Sequence, residues 1–125
     1  MKYYEIELNG EIIKLRLTSE LIIEIEKKNN KSILEVIKNV TQTNIIMLLM
    51  YMRRFEVPNF SQKEASELYD NFIDNEYSMQ DILFKVIYEG LVISGVMTKG
   101  EVSQLKELVG IQDNVIRKKI EKLQN

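Results

Sequence analysis

The sequence predicts an α+β fold, mostly α: an N-terminal β-hairpin packed on a small helical bundle, with a C-terminal amphipathic helical tail. Three observations predict it. Residues 3 to 17 alternate apolar and polar about an Asn9-Gly10 pair. Behind them, from Thr18 to about Gly95, apolar residues recur at helical spacing, each run opened by a Ser or Thr. After Thr98 the composition changes and no aromatic residue occurs. The expected organisation is therefore one globular domain over residues 1–97, with helices from about 19 to 95, and an appended tail over 98–125.

Each element has its own reason. Asn9-Gly10 tolerates the positive φ angles of a type I′ turn, and a two-residue loop fixes the register. Ile6 should face Ile13, Tyr4 should face Leu15, and Glu5 should face Lys14, apolar on one face and opposite charges on the other. A two-stranded hairpin is marginal alone, so it must lie on the helices or pair with another chain. Thr18 caps a helix to about Asn29 with Leu21, Ile22 and Ile25 inward. Ser32 and Glu35 read as a capping box before Ile33, Val36, Ile37 and Val40.

The most apolar stretch, Asn44 to Phe55, is expected to be central. Thr43 caps it, and it stops before Pro58, the only proline. Ile45, Leu48, Leu49, Met52 and Phe55 form its buried face; Met47, Met50 and Tyr51 lie on roughly the opposite side. Ser61 with Glu64, and Ser78 with Asp81, open two further helices. Ala65, Leu68, Tyr69, Phe72 and Ile73 line the first; Met79, Ile82, Leu83, Val86, Ile87 and Leu91 line the second, widened by Phe84 and Tyr88. In the tail, Val102, Leu105, Val109, Ile116, Ile120 and Leu123 make a thin stripe, with an interruption expected at Gly110.

Composition narrows the function. The 125 residues suffice for one domain with a core, and 45% hydrophobic with 29% charged residues is ordinary for a globular chain. Net charge is −2, which gives no general attraction to nucleic acid or anionic membrane. The tail carries six basic and four acidic residues, +2, against −4 for residues 1–97. Neither Cys nor His occurs, so disulfides, thiolate chemistry, His-activated nucleophiles and His-ligated metals are excluded. No secretory signal or spanning segment is evident, and a cytoplasmic protein is expected.

Four groups of residues invite a functional reading. Glu67, Asp70, Asp74 and Glu76 cluster, but no third ligand converges from a distant segment, and a solvated helix face explains them. Arg53-Arg54 and Arg117-Lys118-Lys119 are the basic candidates for nucleic acid; no stacking aromatic accompanies the tail run. The serines are used as caps. The methionines remain: Met47 and Met50, with Tyr51 and Arg54, form the candidate partner-binding set, because an adaptable Met-rich surface suits protein clients. No cofactor, metal or catalytic residue is expected.

The element order, with the stretch Leu17 to Ile37 that contains LIIEIEKKNNKSILEVI (21–37) and the helix from Ser78 ending EGLVISG at Gly95, resembles the tail assembly chaperones of long-tailed phages and prophages of Gram-positive bacteria. The resemblance covers about residues 3 to 97. It implies a non-enzymatic role in phage tail assembly: binding the tape-measure protein, keeping its apolar helices soluble while tail tube subunits polymerise, and absence from the finished virion. It also implies that a longer, frameshifted form can accompany the short one. A homo-oligomer is expected, through strand pairing or tail-helix packing. The alternative is a small DNA-binding or regulatory protein of a mobile element.

Overall fold

The computed structural model describes residues 1–124, so Asn125 of the predicted tail lies outside the described residues. The architecture is an α+β fold dominated by helix. Strand β1 (Tyr4–Leu8) pairs antiparallel with β2 (Glu11–Leu15). The register is the one the turn dictates: Tyr4 opposite Leu15, Glu5 opposite Lys14, Ile6 opposite Ile13. Asn9 and Gly10 sit at φ +54° and +79°, the two positive values a type I′ turn requires. Leu8, Ile13 and Leu15 are buried. Lys14 meets Glu56 at 3.9 Å and lies 5.0 Å over the Tyr3 ring.

Thr18 accepts the Leu21 amide and opens α1 (Ser19–Asn29), which ends at Asn30 in the left-handed region. Ser32 caps α2 (Ile33–Lys38), but only half of the expected capping box forms. The Ile33 amide donates instead to Glu26 of α1 at 2.9 Å, so the two helices are tied to one another.

The central helix α3 (Gln42–Arg53) starts earlier than expected. Thr41 rather than Thr43 is its cap, because Thr41 has extended backbone and its hydroxyl accepts from Asn44 N. Thr43 is already within the first turn. The Asn44 side chain donates to Val36 O (2.7 Å) and Asn39 O (2.9 Å), fastening the start of α3 to the end of α2.

Ser61 with Glu64, and Ser78 with Asp81, make complete capping boxes for α4 (Gln62–Asp74) and α5 (Met79–Ile82). A π-helical turn, Leu83–Ile87, then joins α5 to α6 (Tyr88–Ile93). The wider turn lets Ile82, Leu83, Val86, Ile87, Tyr88 and Leu91 all be buried. A regular 3.6-residue period would spread so many positions over too broad an arc. The rings of Phe84 and Tyr88 stack at 5.7 Å.

Gly95, at φ +76°, ends α6. Thr98 and Glu101 exchange bonds of 3.1 Å to open α7 (Lys99–Gln124). This helix runs unbroken through Gly110, against expectation. An interior glycine costs only about 1 kcal/mol, and nothing crowds its position.

The core centres on α3. Its Ile45, Leu48, Leu49 and Met52 are enclosed by α1, α4, β2 and the π-turn. Gly90 allows α6 to come so close that an added Cβ would stand 2.8 Å from Met52 Cε. The hairpin rests on the same two helices: Arg16 N donates to Met52 O (3.2 Å) and Leu17 N to Ser94 Oγ (2.8 Å). Leu49, Met52, Phe72, Val86, Ile87, Tyr88 and Leu91 have no exposed surface.

Candidate functional site: a methionine-floored groove

The α3 residues chosen for partner binding are not all on an open face. Met50 and Tyr51 are buried, at 5% and 4% exposure. A helix apolar nearly all round has two ways to hide its second face, and here its own chain encloses it. The Arg54 guanidinium lies 5.0 Å over the Tyr51 ring. Its Nε donates to Phe60 O at 2.9 Å, its Nη2 reaches Met50 Sδ at 3.7 Å, and its Nη1 stands 3.9 Å from Glu24. Arg54 therefore closes the end of the helix onto its own chain, and Tyr51 has no free surface to offer.

Met47 is different. It is half-buried, and with Ile46 and an edge of Met50 it floors a groove of about 400 Å³ between α1, α3 and α4. Lys28, Gln42, Thr43, Gln62 and Ser66 ring it. Asn29 Nδ2 approaches Met47 Sδ at 3.4 Å and donates to Ile25 O at 2.7 Å. The floor is soft and polarizable, the rim offers amides, hydroxyls and one ammonium, and no lining residue is acidic. Such a surface repacks around apolar side chains while the rim satisfies polar atoms beside them. Ile46 is absent from the set expected from the sequence; as the i−4 neighbour of Met50 it shares that side of the helix, and this spacing is the signal that points to it.

A second cleft, about 320 Å³, opens beneath the middle of α7. Val40, Ile45, Met79 and Leu83 line the body side, and Val109 and Ile116 line the α7 side. The first half of α7 packs on the core through buried Val102 and partly buried Leu105 and Val109. Lys106 lies 5.4 Å over the Phe84 ring.

Of the basic pair, Arg53 is buried, bonded to Glu56, 3.6 Å from Glu11, with its guanidinium 5.9 Å from the Phe60 ring. Arg53 and Arg54 are thus both engaged internally. Arg117, Lys118 and Lys119 are exposed on α7, where Arg117 pairs with Asp113 at 3.1 Å. The α4 carboxylates Glu67, Asp70 and Asp74 point to solvent. Among the described residues no group of three or more His, Cys, Asp or Glu could hold a metal ion. Nor is any described helix long and apolar enough to cross a membrane.

Compared with known protein families, with curated proteins and with solved structures, the chain matches none.

Proposed function

We propose that this protein is a non-enzymatic phage tail assembly chaperone that holds apolar helical segments of a tape-measure protein in solution during tail morphogenesis. One observation carries the reading: the groove floored by Ile46, Met47 and Met50 has the size and chemistry to receive apolar side chains from a client helix. The resemblance in element order over about residues 3–97 supplies the identity of the client. Residue types support the absence of catalysis, since the chain holds neither His nor Cys. The site is the host cytoplasm, before the virion is complete.

The test is co-expression with a tape-measure protein of a long-tailed phage. Soluble client should rise when the chaperone is present. Met47→Glu, which places a charge on the groove floor from a half-buried position, should abolish the gain while the circular dichroism spectrum and unfolding midpoint of the chaperone stay unchanged. Buried Met50 and Tyr51 are unsuitable for such substitutions, because a charge there would unfold the chain.

A second reading, a DNA-binding regulator of a mobile element, draws on the exposed Arg117-Lys118-Lys119 run. A client equally insoluble with and without this protein, together with a shifted DNA fragment at physiological salt, decides for the regulator.

A further inference from the structure

Helix α7 spans 26 residues, about 39 Å at 1.5 Å per residue. Its first half packs on the rest of the chain, and Gln112, Asp113, Ile116 and Arg117 still border the open cleft beneath it. Leu108, Ile111, Val115, Ile116, Ile120 and Leu123 are between 46% and 87% exposed. At about 100° per residue these six fall on one half of the helix circumference. Glu107, Asp113, Asn114, Arg117, Lys118 and Glu121 occupy the other half. Their spacing has a further property. The steps between the six are three, four, one, four and three residues, a series that reads the same in both directions. A two-fold antiparallel pair of identical helices centred on that series sets apolar residues level with apolar residues.

We propose that α7 is a dimerisation helix whose partner is α7 of a second copy of this chain, running antiparallel and crossing between Val115 and Ile116. In that register Leu108 is level with Leu123 of the partner subunit, Ile111 with Ile120 of the partner subunit, and Val115 with Ile116 of the partner subunit. Leu108, Val115, Ile116 and Leu123 then gain apolar neighbours within the seam, with Ile111 and Ile120 at its two edges. The polar residues select the orientation. Gln112 and Lys119 lie on the centre line of the seam, and the antiparallel pair sets each Gln112 against Lys119 of the partner subunit. A parallel pair would set Lys119 against Lys119 and stack two Arg117-Lys118-Lys119 runs, and like charges repel.

The charge of the whole chain agrees with this. Antiparallel crossing carries the basic end of each α7 toward the other copy's residues 1–97, whose net charge is −4. A lipid surface fits less well. Lys119 and Lys122 share the apolar half of the helix, and a helix lying flat would press both into the acyl layer.

Sedimentation equilibrium of the full chain at high micromolar concentration should give twice the 14.7 kDa chain mass. Ile120→Glu, at a position 47% exposed, should return the mass to one chain without moving the unfolding midpoint of the body. Because the chain has no Cys, orientation can be read by cross-linking. Leu108→Cys chains mixed with Leu123→Cys chains should oxidise to the mixed disulfide dimer, and Leu123→Cys alone should form little. A single-chain mass at high micromolar concentration overturns the proposal. So does a dimer that survives Ile120→Glu, a Leu123→Cys self-disulfide that outweighs the mixed product, or a monomer that binds phosphatidylserine-containing vesicles.

Discussion

Gly90 and Met52 make the sharpest quantitative case in the core. In the interior of a helix, Gly→Ala normally stabilises by up to about 1 kcal/mol. Here the added Cβ would stand 2.8 Å from Met52 Cε and 3.2 Å from Met52 Sδ. Carbon atoms in good contact sit roughly 3.5–4.0 Å apart, so Met52 would have to move by most of an ångström. Met52 has no exposed surface, so its flexible thioether end must find the room within the core. Forcing an extra methyl into such a core costs about 1–3 kcal/mol. The net expectation for Gly90→Ala is destabilisation by roughly 0–2 kcal/mol, the overpacking cost less the helical gain.

The decisive comparison uses Met52→Ala, which alone should cost about 2–5 kcal/mol. In that background the obstructing atoms are gone, and Gly90→Ala should show its helical gain, so the sign of its effect reverses. Urea unfolding followed by circular dichroism on the four proteins measures the coupling, expected at about 1–3 kcal/mol. If Gly90→Ala is as stabilising with Met52 in place as in the Met52→Ala background, the close approach of α6 to α3 does not constrain this core.

Two further substitutions test other parts of the fold. Leu49→Ala, at a fully buried position of α3, should lower stability by about 2–5 kcal/mol in the same assay; a change under about 1 kcal/mol contradicts the central place of this helix. Asp81→Asn tests the cap of α5: the Asp81 carboxylate accepts from Ser78 N at 3.0 Å, and this bond, aided by Lys85, holds its pKa below the usual aspartate value. A depressed folded-state pKa gives stability that is present above the ordinary aspartate pKa and lost as pH falls through the folded-state value. The variant should therefore differ from the parent near neutral pH and converge with it as pH falls below the folded-state value, read as urea midpoints; a difference that grows on acidification reverses the assigned sign.

Much of the fold was legible because it rests on short-range chemistry. Asn9-Gly10 sets the hairpin register, and Thr18, Ser61 and Ser78 mark helix starts, with no help from distant residues. What failed to show in the sequence depends on the chain at a distance. Thr41 prevails over Thr43 because Asn44 binds the carbonyls of Val36 and Asn39 and pulls the start of α3 back toward α2. The π-turn at Leu83–Ile87 answers a demand to bury more residues than one helical stripe holds, a demand set by the surrounding elements. The candidate site was half legible for the same reason. Periodicity placed Met47, Met50 and Tyr51 on one side of α3, but which of them stays open is decided by how α1, α4 and Arg54 close over that side.

The Ser94 hydroxyl joins the two ends of the body: it accepts from Leu17 N, 77 residues away in sequence, and donates to Gly90 O at 2.7 Å. This has a consequence for how the chain folds as it is made. The hairpin can close within its first residues, yet it is marginal until α3 and α6 support it. Closing a long loop costs entropy that grows slowly with length, by about 0.6 kcal/mol per doubling, but it must be met before the contact repays it. Until Ser94 is in place, the hairpin is held by α3 alone, through Arg16 N and Met52 O, and its strand edges are open. Full docking waits for the last turn of α6, which brings Ser94 to Leu17. Val102, in the first turn of α7, then completes the core, and only the outer part of that helix extends beyond it.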